Sequence, residues 1–426
     1  MAVPTLILVL ATLFSQTSFA QVSPYLVQYR KTLDFHTQLA QTKGLQLRRL
    51  LQEQTRLREV EVLGAQSQQA ETLWIAYGSL LKLTPQEASR LRQNFQVERL
   101  TSLNHRVRLM IPRREAEVLQ QVRYTYGLQK IKIPEVRSRF WGLDGRGIRV
   151  GVIDTGIDPR HPALQDRTVA YRDFTTKPIS QIRDDHGHGS HVAGTVGARD
   201  VNGRSVGVAP GVDFVIAKVF NSRGSAEEAE LLKALQWMAD PDGNADTDDG
   251  AHVVNNSWNN DKDFSKMDPE EEPFCQVVSE LKKLGTISVF AAGNDGPETG
   301  SIKLPAACPD SLTVASTDRD DRVATSSSRG PVQWKSRKIL KPDVAAPGVS
   351  IDSVAAGGGY TTKSGTSMAA PHVAGALALV LQRYGNLTPD QAVETLVFGA
   401  QDLGAAGPDI QFGAGRIDLL KALEQP

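Results

Sequence analysis

From Gly147 onward the chain repeats one pattern: short apolar runs rich in β-branched residues, separated by stretches that read as helix. The runs are residues 148–153, 212–220, 253–258, 286–292 and 311–316, and residues 226–239 are a clear helical stretch between them. Strands that are apolar throughout have no wet face, so both sides of their sheet must be covered. Helices returning between such strands make the strands parallel. The expected fold is therefore α/β, three layers with a mainly parallel sheet between helices. In such sheets reactive and ligand-binding groups collect at the carboxyl ends of the strands. A last helix is expected over residues 417–423.

The 426 residues leave room for more ahead of this sheet. Residues 21–60 are rich in Gln, Arg and Leu, and Leu47, Leu50, Leu51, Leu57 and Val60 fall at roughly helical spacing, so one or two amphipathic helices are expected there. Residues 71–110 change texture. Residues 73–81 read as a strand, and Thr84, Pro85 and Glu87 form the start signal of a capped helix. Residues 106–111 read as another strand, completing a small α+β unit.

The first twenty residues differ again. An apolar run at 6–14 is followed by Ser18-Phe19-Ala20, which fits a signal peptide cut after Ala20, although no Lys or Arg precedes the run. The run is too short to span a bilayer, and Gln21 rather than Cys argues against a lipid anchor. The expected location is secreted or periplasmic, with no stable membrane anchor. Lys plus Arg equals Asp plus Glu, 48 against 48, which removes any electrostatic reason to expect a nucleic acid or an anionic membrane as partner. Cys275 and Cys308 are the only cysteines; they fit either a disulfide of an exported protein or two separate buried thiols.

Three segments carry reactive side chains. Asp154 directly follows the strand at 148–153, where a helix cap is the plainer alternative. His188 lies in HGHGSHVAG, between glycines that leave its ring unobstructed. Three His in six residues also raise a metal site, but the spacing matches no zinc-binding helix. Ser367 lies in GTSMAAPHVAG at the start of an apolar helix, where free N–H groups and the helix dipole favour developing negative charge. A serine hydroxyl needs a base within reach, and that base needs an acid to orient it. The order Asp, His, Ser is that of subtilisin rather than of chymotrypsin or the α/β-hydrolases.

The blocks VIDTGID, HGHGSHVAG and GTSMAAPHVAG resemble, in order and separation, the signature blocks of the subtilisin-like serine proteases, the subtilases. The resemblance runs from about Tyr126 to Leu423 and includes the closing segment FGAGRID. It implies a subtilisin-like fold and endoproteolysis of proteins or peptides by a monomer without a catalytic cofactor. It also implies roles: Asp154 orients His188, His188 is general base and then acid, and Ser367 is the nucleophile. Asn294, in AAGNDG, is similar to the family's oxyanion-hole donor, acting with the Ser367 N–H. His191 and His372 fall at packing positions. Residues 21–120 resemble a propeptide that assists folding and then blocks the cleft as an intramolecular inhibitor. It would be removed autocatalytically within the linker at 111–124, and the catalytic domain would span 121–426.

The chain departs from the family around substrate. Ser257, Trp258, Asn259 and Asn260 are similar to the strand that pairs with substrate, but relatives have Gly where both Asn stand. Lys303 falls near the floor of the primary pocket, so tolerance for acidic or polar P1 residues is expected. Glu228 replaces an aromatic residue at P4. Asp242, Asn244, Asp246 and Asp248 alternate in the style of a calcium loop, and a solvated acidic loop is the alternative. A calcium site that many subtilases use lacks its Asp, since Ala163 stands there. The rival functions are a proteolytically silent subtilase fold and an esterase, and the G-x-S-x-G elbow of the latter is absent around Ser367.

Overall fold

The computed structural model describes residues 21–109, 113–114, 123–175 and 177–425. The expected signal peptide, the end of the 106–111 strand and most of the 111–124 linker lie outside the described residues.

The N-terminal unit runs β1 (Ser23–Tyr29), α1 (Leu33–Gln41), α2 (Gly44–Leu63), β2 (Glu71–Leu73), β3 (Gly78–Leu83), α3 (Pro85–Arg92) and β4 (Val97–Ser102). Its antiparallel sheet has the order β2-β3-β1-β4. The expected helix start is present: Thr84 accepts from the Glu87 N–H and Glu87 accepts from the Thr84 N–H. Two expectations need correction. Residues 23–29 are a central strand of this sheet, not helix, because β3 and β4 take up their backbone groups on both sides. Residues 73–81 are not one strand either. A 3-10 turn at Trp74–Ala76 separates β2 from β3, and Tyr77 leaves it at φ 50°. The turn buries Trp74, Ile75 and Ala76.

The chain then forms β5 (Arg106–Leu109) and β6 (Arg113–Arg114), which join other sheets. There follow α4 (Tyr126–Lys130), α5 (Ile133–Arg139), β7 (Arg149–Asp154), β8 (Thr168–Asp173), α6 (His188–Gly197), β9 (Asp213–Lys218), β10 (Ser225–Glu227) and α7 (Glu228–Ala239). Next come β11 (Val253–Asn256), β12 (Trp258–Asn260), α8 (Pro273–Lys283), β13 (Ile287–Ala291), β14 (Leu312–Thr317), β15 (Val332–Gln333) and β16 (Lys338–Ile339). The chain ends with β17 (Val344–Pro347), β18 (Ile351–Val354), β19 (Tyr360–Ser364), α9 (Thr366–Tyr384), α10 (Pro389–Phe398) and α11 (Leu419–Leu423).

Seven strands form one sheet of order β17-β14-β13-β11-β7-β9-β8, and every pairing in it is parallel. Its inner strands β7, β9 and β13 are buried on both faces, as their apolar character requires, while the edge strand β8 is partly exposed. β7 is the first strand of the sheet. The chain builds outward from it to one side with β8 and β9, then to the other from β11 onward. Asp154 ends β7 at this switch point, where crevices form in such sheets.

The N-terminal unit packs on α7 and α8. Gln236 Oε1 accepts from the Ile75 N–H, Lys233 pairs with Glu71, and Arg99 donates to the Glu271 carbonyl. A continuous apolar core passes from Leu26 and Trp74 through α7 and α8 to Trp258. Each large apolar side chain buried there contributes about 1.5–3 kcal/mol.

Candidate active site

His188 opens α6 and Asp154 closes β7, and the local sequence forces them together. Gly156 has φ 108°, and a Cβ there would lie 1.9 Å from the Arg183 carbonyl oxygen. A Cβ at Gly189 would lie 2.1 Å from the Gly156 carbonyl oxygen. Only glycines let the start of α6 press on the loop after β7. His188 Nδ1 then sits 2.8 and 2.9 Å from the two Asp154 carboxylate oxygens, with both residues fully buried. The Thr155 N–H also donates to Asp154, at 2.7 Å. With Nδ1 facing a carboxylate, the ring carries its proton there and Nε2 is left as the acceptor. Nε2 is buried and has no hydrogen-bond partner among the described residues.

Asp184 organises this loop, a role that its sequence context did not announce. Its carboxylate accepts from the N–H groups of His186, Gly187 and Ser190 and from the hydroxyls of Thr155 and Ser190. Burial pushes its carboxyl up, but the bonds from Ser190, Gly187 and His186 prevail and hold it below the usual carboxylate range. Lys218, also fully buried, donates to the Thr155 and Phe220 carbonyls and to Asp185.

Ser367 lies in the first turn of α9, which packs against α6. Its hydroxyl donates to the Ser257 carbonyl at 3.2 Å, and the Ser257 hydroxyl donates to the Ser367 carbonyl at 3.0 Å. The Asn294 carbonyl oxygen accepts from the Thr366 N–H and hydroxyl, each at 3.0 Å. That fixes the amide so that Nδ2 is its donor end. Nδ2 lies 3.1 Å from where a Gly365 side chain would begin, two residues before Ser367. His191 faces the Ile351 and Thr361 carbonyls through Nε2, and burial depresses its pKa. His372 faces the Met368 carbonyl through Nδ1, and burial pulls its pKa down to about 4.

β5 lies between β10 and β12 as the middle strand of a three-stranded antiparallel sheet. Trp258 is opposite Leu109, Asn259 opposite Arg108 and Asn260 opposite Val107. On the other side Ser225 is opposite Arg108 and Ala226 opposite Val107. Val107 and Leu109 are buried. β6 then pairs with β19, placing Arg113 opposite Ser364, three residues before Ser367. A cavity of about 610 Å³ opens between the N-terminal unit and α8, beside Tyr77 and Gln276, and is lined by none of the reactive side chains.

Several residues expected around substrate are placed differently. The Trp258 side chain is in the core against Phe220, Phe274 and Phe290, and only its backbone faces β5. Neither Asn259 nor Asn260 takes a positive φ, so Asn fits this extended strand without strain. The Asn260 side chain donates to Glu228 at 3.3 Å and accepts from the Lys262 N–H. Lys303 pairs with Asp261 at 2.7 Å and Asp295 at 3.1 Å, so two carboxylates already take up the charge expected to face an acidic P1 residue. Glu228 is fully buried, one of its oxygens has no partner among the described residues, and burial raises its pKa to about 7 against the pull of Lys262.

The four expected calcium ligands do not converge. Asp246 pairs with Arg49 and Asp248 with Arg149, while Asn244 accepts from the Asp246 N–H. Of the four, Asp242 alone joins a group of converging carboxylates, with Asp240 and Asp249. Cys275 and Cys308 form a disulfide with Cα atoms 5.1 Å apart.

The subtilase family model matches residues 145–415. The chain is similar to the serine protease AprX of Bacillus subtilis (strain 168), with 35% identity over 301 residues, 65% of this chain and 66% of that protein. It is 33% identical over 304 residues to the alkaline elastase YaB of Bacillus sp. (strain YaB), covering 71% of each. It is 33% identical over 301 residues to subtilisin E of Bacillus subtilis (strain 168), covering 70% of this chain and 71% of that protein. The chain belongs to the subtilase family. By that membership it is a serine endopeptidase.

Proposed function

We propose that the protein is a secreted endopeptidase made as a self-inhibited zymogen, with Asp154, His188 and Ser367 as its triad. The observation that carries this reading is the His188 imidazole, held through Nδ1 by both Asp154 oxygens at the head of α6, beside the helix that Ser367 opens. His188 Nε2 takes the Ser367 proton as the hydroxyl attacks the scissile carbonyl, and Asp154 stabilises the resulting imidazolium. The tetrahedral oxyanion is met by Asn294 Nδ2 and the Ser367 N–H at the positive end of α9. His188 then protonates the leaving amine. Water hydrolyses the acyl-enzyme by the same proton path, so no catalytic cofactor is needed.

Substrates are proteins or peptides bound as extended strands between β10 and β12, the place that β5 holds in this chain. The N-terminal segment, read from the sequence as residues 21–120, is then its own inhibitor. We assign the maturation cut to the stretch from Leu109 to Arg113, a reading supported by the pairing of Leu109 with Trp258, next to Ser257, and of Arg113 with Ser364, three residues before Ser367. Secretion is supported by the signal-like first twenty residues and by the disulfide, which suits an oxidising compartment. Among the described residues no helix is long and apolar enough to cross a membrane. Casein hydrolysis and processing compared between the parent chain and Ser367→Ala test the reading. Loss of both supports it, and retention of either refutes it.

A further inference from the structure

One contact of the N-terminal segment encloses a buried cationic side chain. Arg48, on the buried face of α2, reaches the loop that follows α7. Its Nη1 donates to the Ala239 carbonyl at 2.6 Å and to Asp249 Oδ1 at 3.3 Å. Its Nη2 donates to the Asn244 carbonyl at 3.1 Å and to the Thr247 carbonyl. Asp240 Oδ1 lies 3.3 Å from Nη1, and both side chains are 3% exposed. Three carbonyls and two carboxylates thus surround one cationic group.

The same loop holds a carboxylate oxygen that lacks a hydrogen bond. Asp240 Oδ1 is buried and has no such partner among the described residues, while Oδ2 accepts from Gln52 at 2.5 Å. The Asp240, Asp242 and Asp249 carboxylates offer oxygens within 4.8 Å of one another. A buried carboxylate without compensating charge is unfavourable, and Arg48 compensates it only while α2 is docked.

We propose that residues 239–249 form a cation cradle that Arg48 fills in the zymogen and Ca²⁺ fills in the mature enzyme. The proposal rests on removal of the N-terminal segment as read above. The donors are all oxygens: the Asp240, Asp242 and Asp249 carboxylates and the Ala239, Asn244 and Thr247 carbonyls. That set suits a hard cation. Ca²⁺ takes about six to eight oxygens in irregular geometry, whereas Mg²⁺ demands a near-ideal octahedron. A cation that binds only the mature form also draws maturation forward by mass action.

The test compares melting temperature in calcium and in chelator. The full-length Ser367→Ala chain is expected to show no calcium response at this loop. Arg48→Ala in the same background is expected to gain an upward shift of several degrees, and a further Asp242→Asn change to remove it. The mature enzyme, inhibited at its serine, is expected to show the shift and to lose it with Asp242→Asn. Equal shifts with and without Arg48, or shifts indifferent to Asp242→Asn, overturn the proposal. So does an absence of calcium binding in titration calorimetry of Arg48→Ala and of the mature enzyme. If the chain does not process itself, the zymogen reading fails, yet the Arg48→Ala comparison in the full-length chain still decides whether the cradle takes Ca²⁺.

Discussion

Asn259 and Arg108 lie opposite each other on antiparallel strands, one from the sheet edge beside Ser367 and one from the N-terminal segment. The chain thus places its own strand where an extended peptide would add to β12 and β10. Leu109 pairs with Trp258, next to Ser257, whose carbonyl accepts the Ser367 hydroxyl, and Arg113 pairs with Ser364. Sequencing of the mature N-terminus is expected to find it at residue 110, 111, 112 or 113. A start beyond Tyr124 from the first cut would contradict the register.

Asn294 is held by Thr366 with its donor end toward the start of α9. Removing one oxyanion donor lowers kcat about 10²–10³-fold, a magnitude known from subtilisin itself. Asn294→Ala is expected to fall in that range with KM little changed, measured on a peptide substrate. An unchanged kcat would remove Asn294 from the oxyanion hole.

Asp184 acts through the loop it holds, not on substrate. Asp184→Ala leaves the His186, Gly187 and Ser190 N–H groups without their acceptor, and each buried unsatisfied group costs about 1–3 kcal/mol. The expected outcome is a lower melting temperature together with a lower kcat, as His188 loses its fixed position. Asp184→Asn keeps one acceptor oxygen and is expected to fall between the two.

Glu228 gives docking of the N-terminal segment a pH dependence. Its carboxyl is buried beneath β5, accepts from the His105 N–H and has a pKa of about 7. Departure of the segment removes part of its burial and lets its pKa fall toward the ordinary value of about 4.5. The docked state therefore binds more protons between about 4.5 and 7, so docking weakens as pH rises through that window and levels off above it. Release of the segment in trans is expected to be faster at pH 8 than at pH 5, and Glu228→Gln to flatten the profile. A profile unchanged by Glu228→Gln would exclude this residue as the source.

The disulfide joins α8 to the segment before β14 across 33 residues. A closed loop of that size restricts the unfolded chain by about 3–4 kcal/mol. Paired Cys275→Ser and Cys308→Ser changes are expected to lower stability by about that amount in denaturant unfolding, with kcat retained.

The parallel sheet and the three reactive residues were legible because they are local signals. Unbroken apolar strands, flanking glycines and chain order all sit within short windows around Asp154, His188 and Ser367. The misread features depend on partners distant in sequence. β1 is a strand because β3 and β4 flank it, although the surrounding composition favours helix. Lys303 is neutralised by Asp261 and Asp295, and Trp258 is drawn into an aromatic cluster built from three other segments. The alternating acidic residues at 242–248 look like a ligand set, but Arg49 and Arg149 take two of them, and Asp242 converges with Asp240 and Asp249 from outside the alternation. Arg48 could not be paired with that loop from spacing alone, since 192 positions separate it from Asp240 (240 − 48).

The central claim is that one serine both processes the chain and cuts other proteins. Expression of Ser367→Ala beside the parent, with intact mass and casein hydrolysis measured on both, tests it most directly. The account predicts a Ser367→Ala chain that keeps residues 21–109 covalently attached and leaves casein uncut, while the parent loses that segment and digests casein. A Ser367→Ala chain that still processes itself or still digests casein would contradict it.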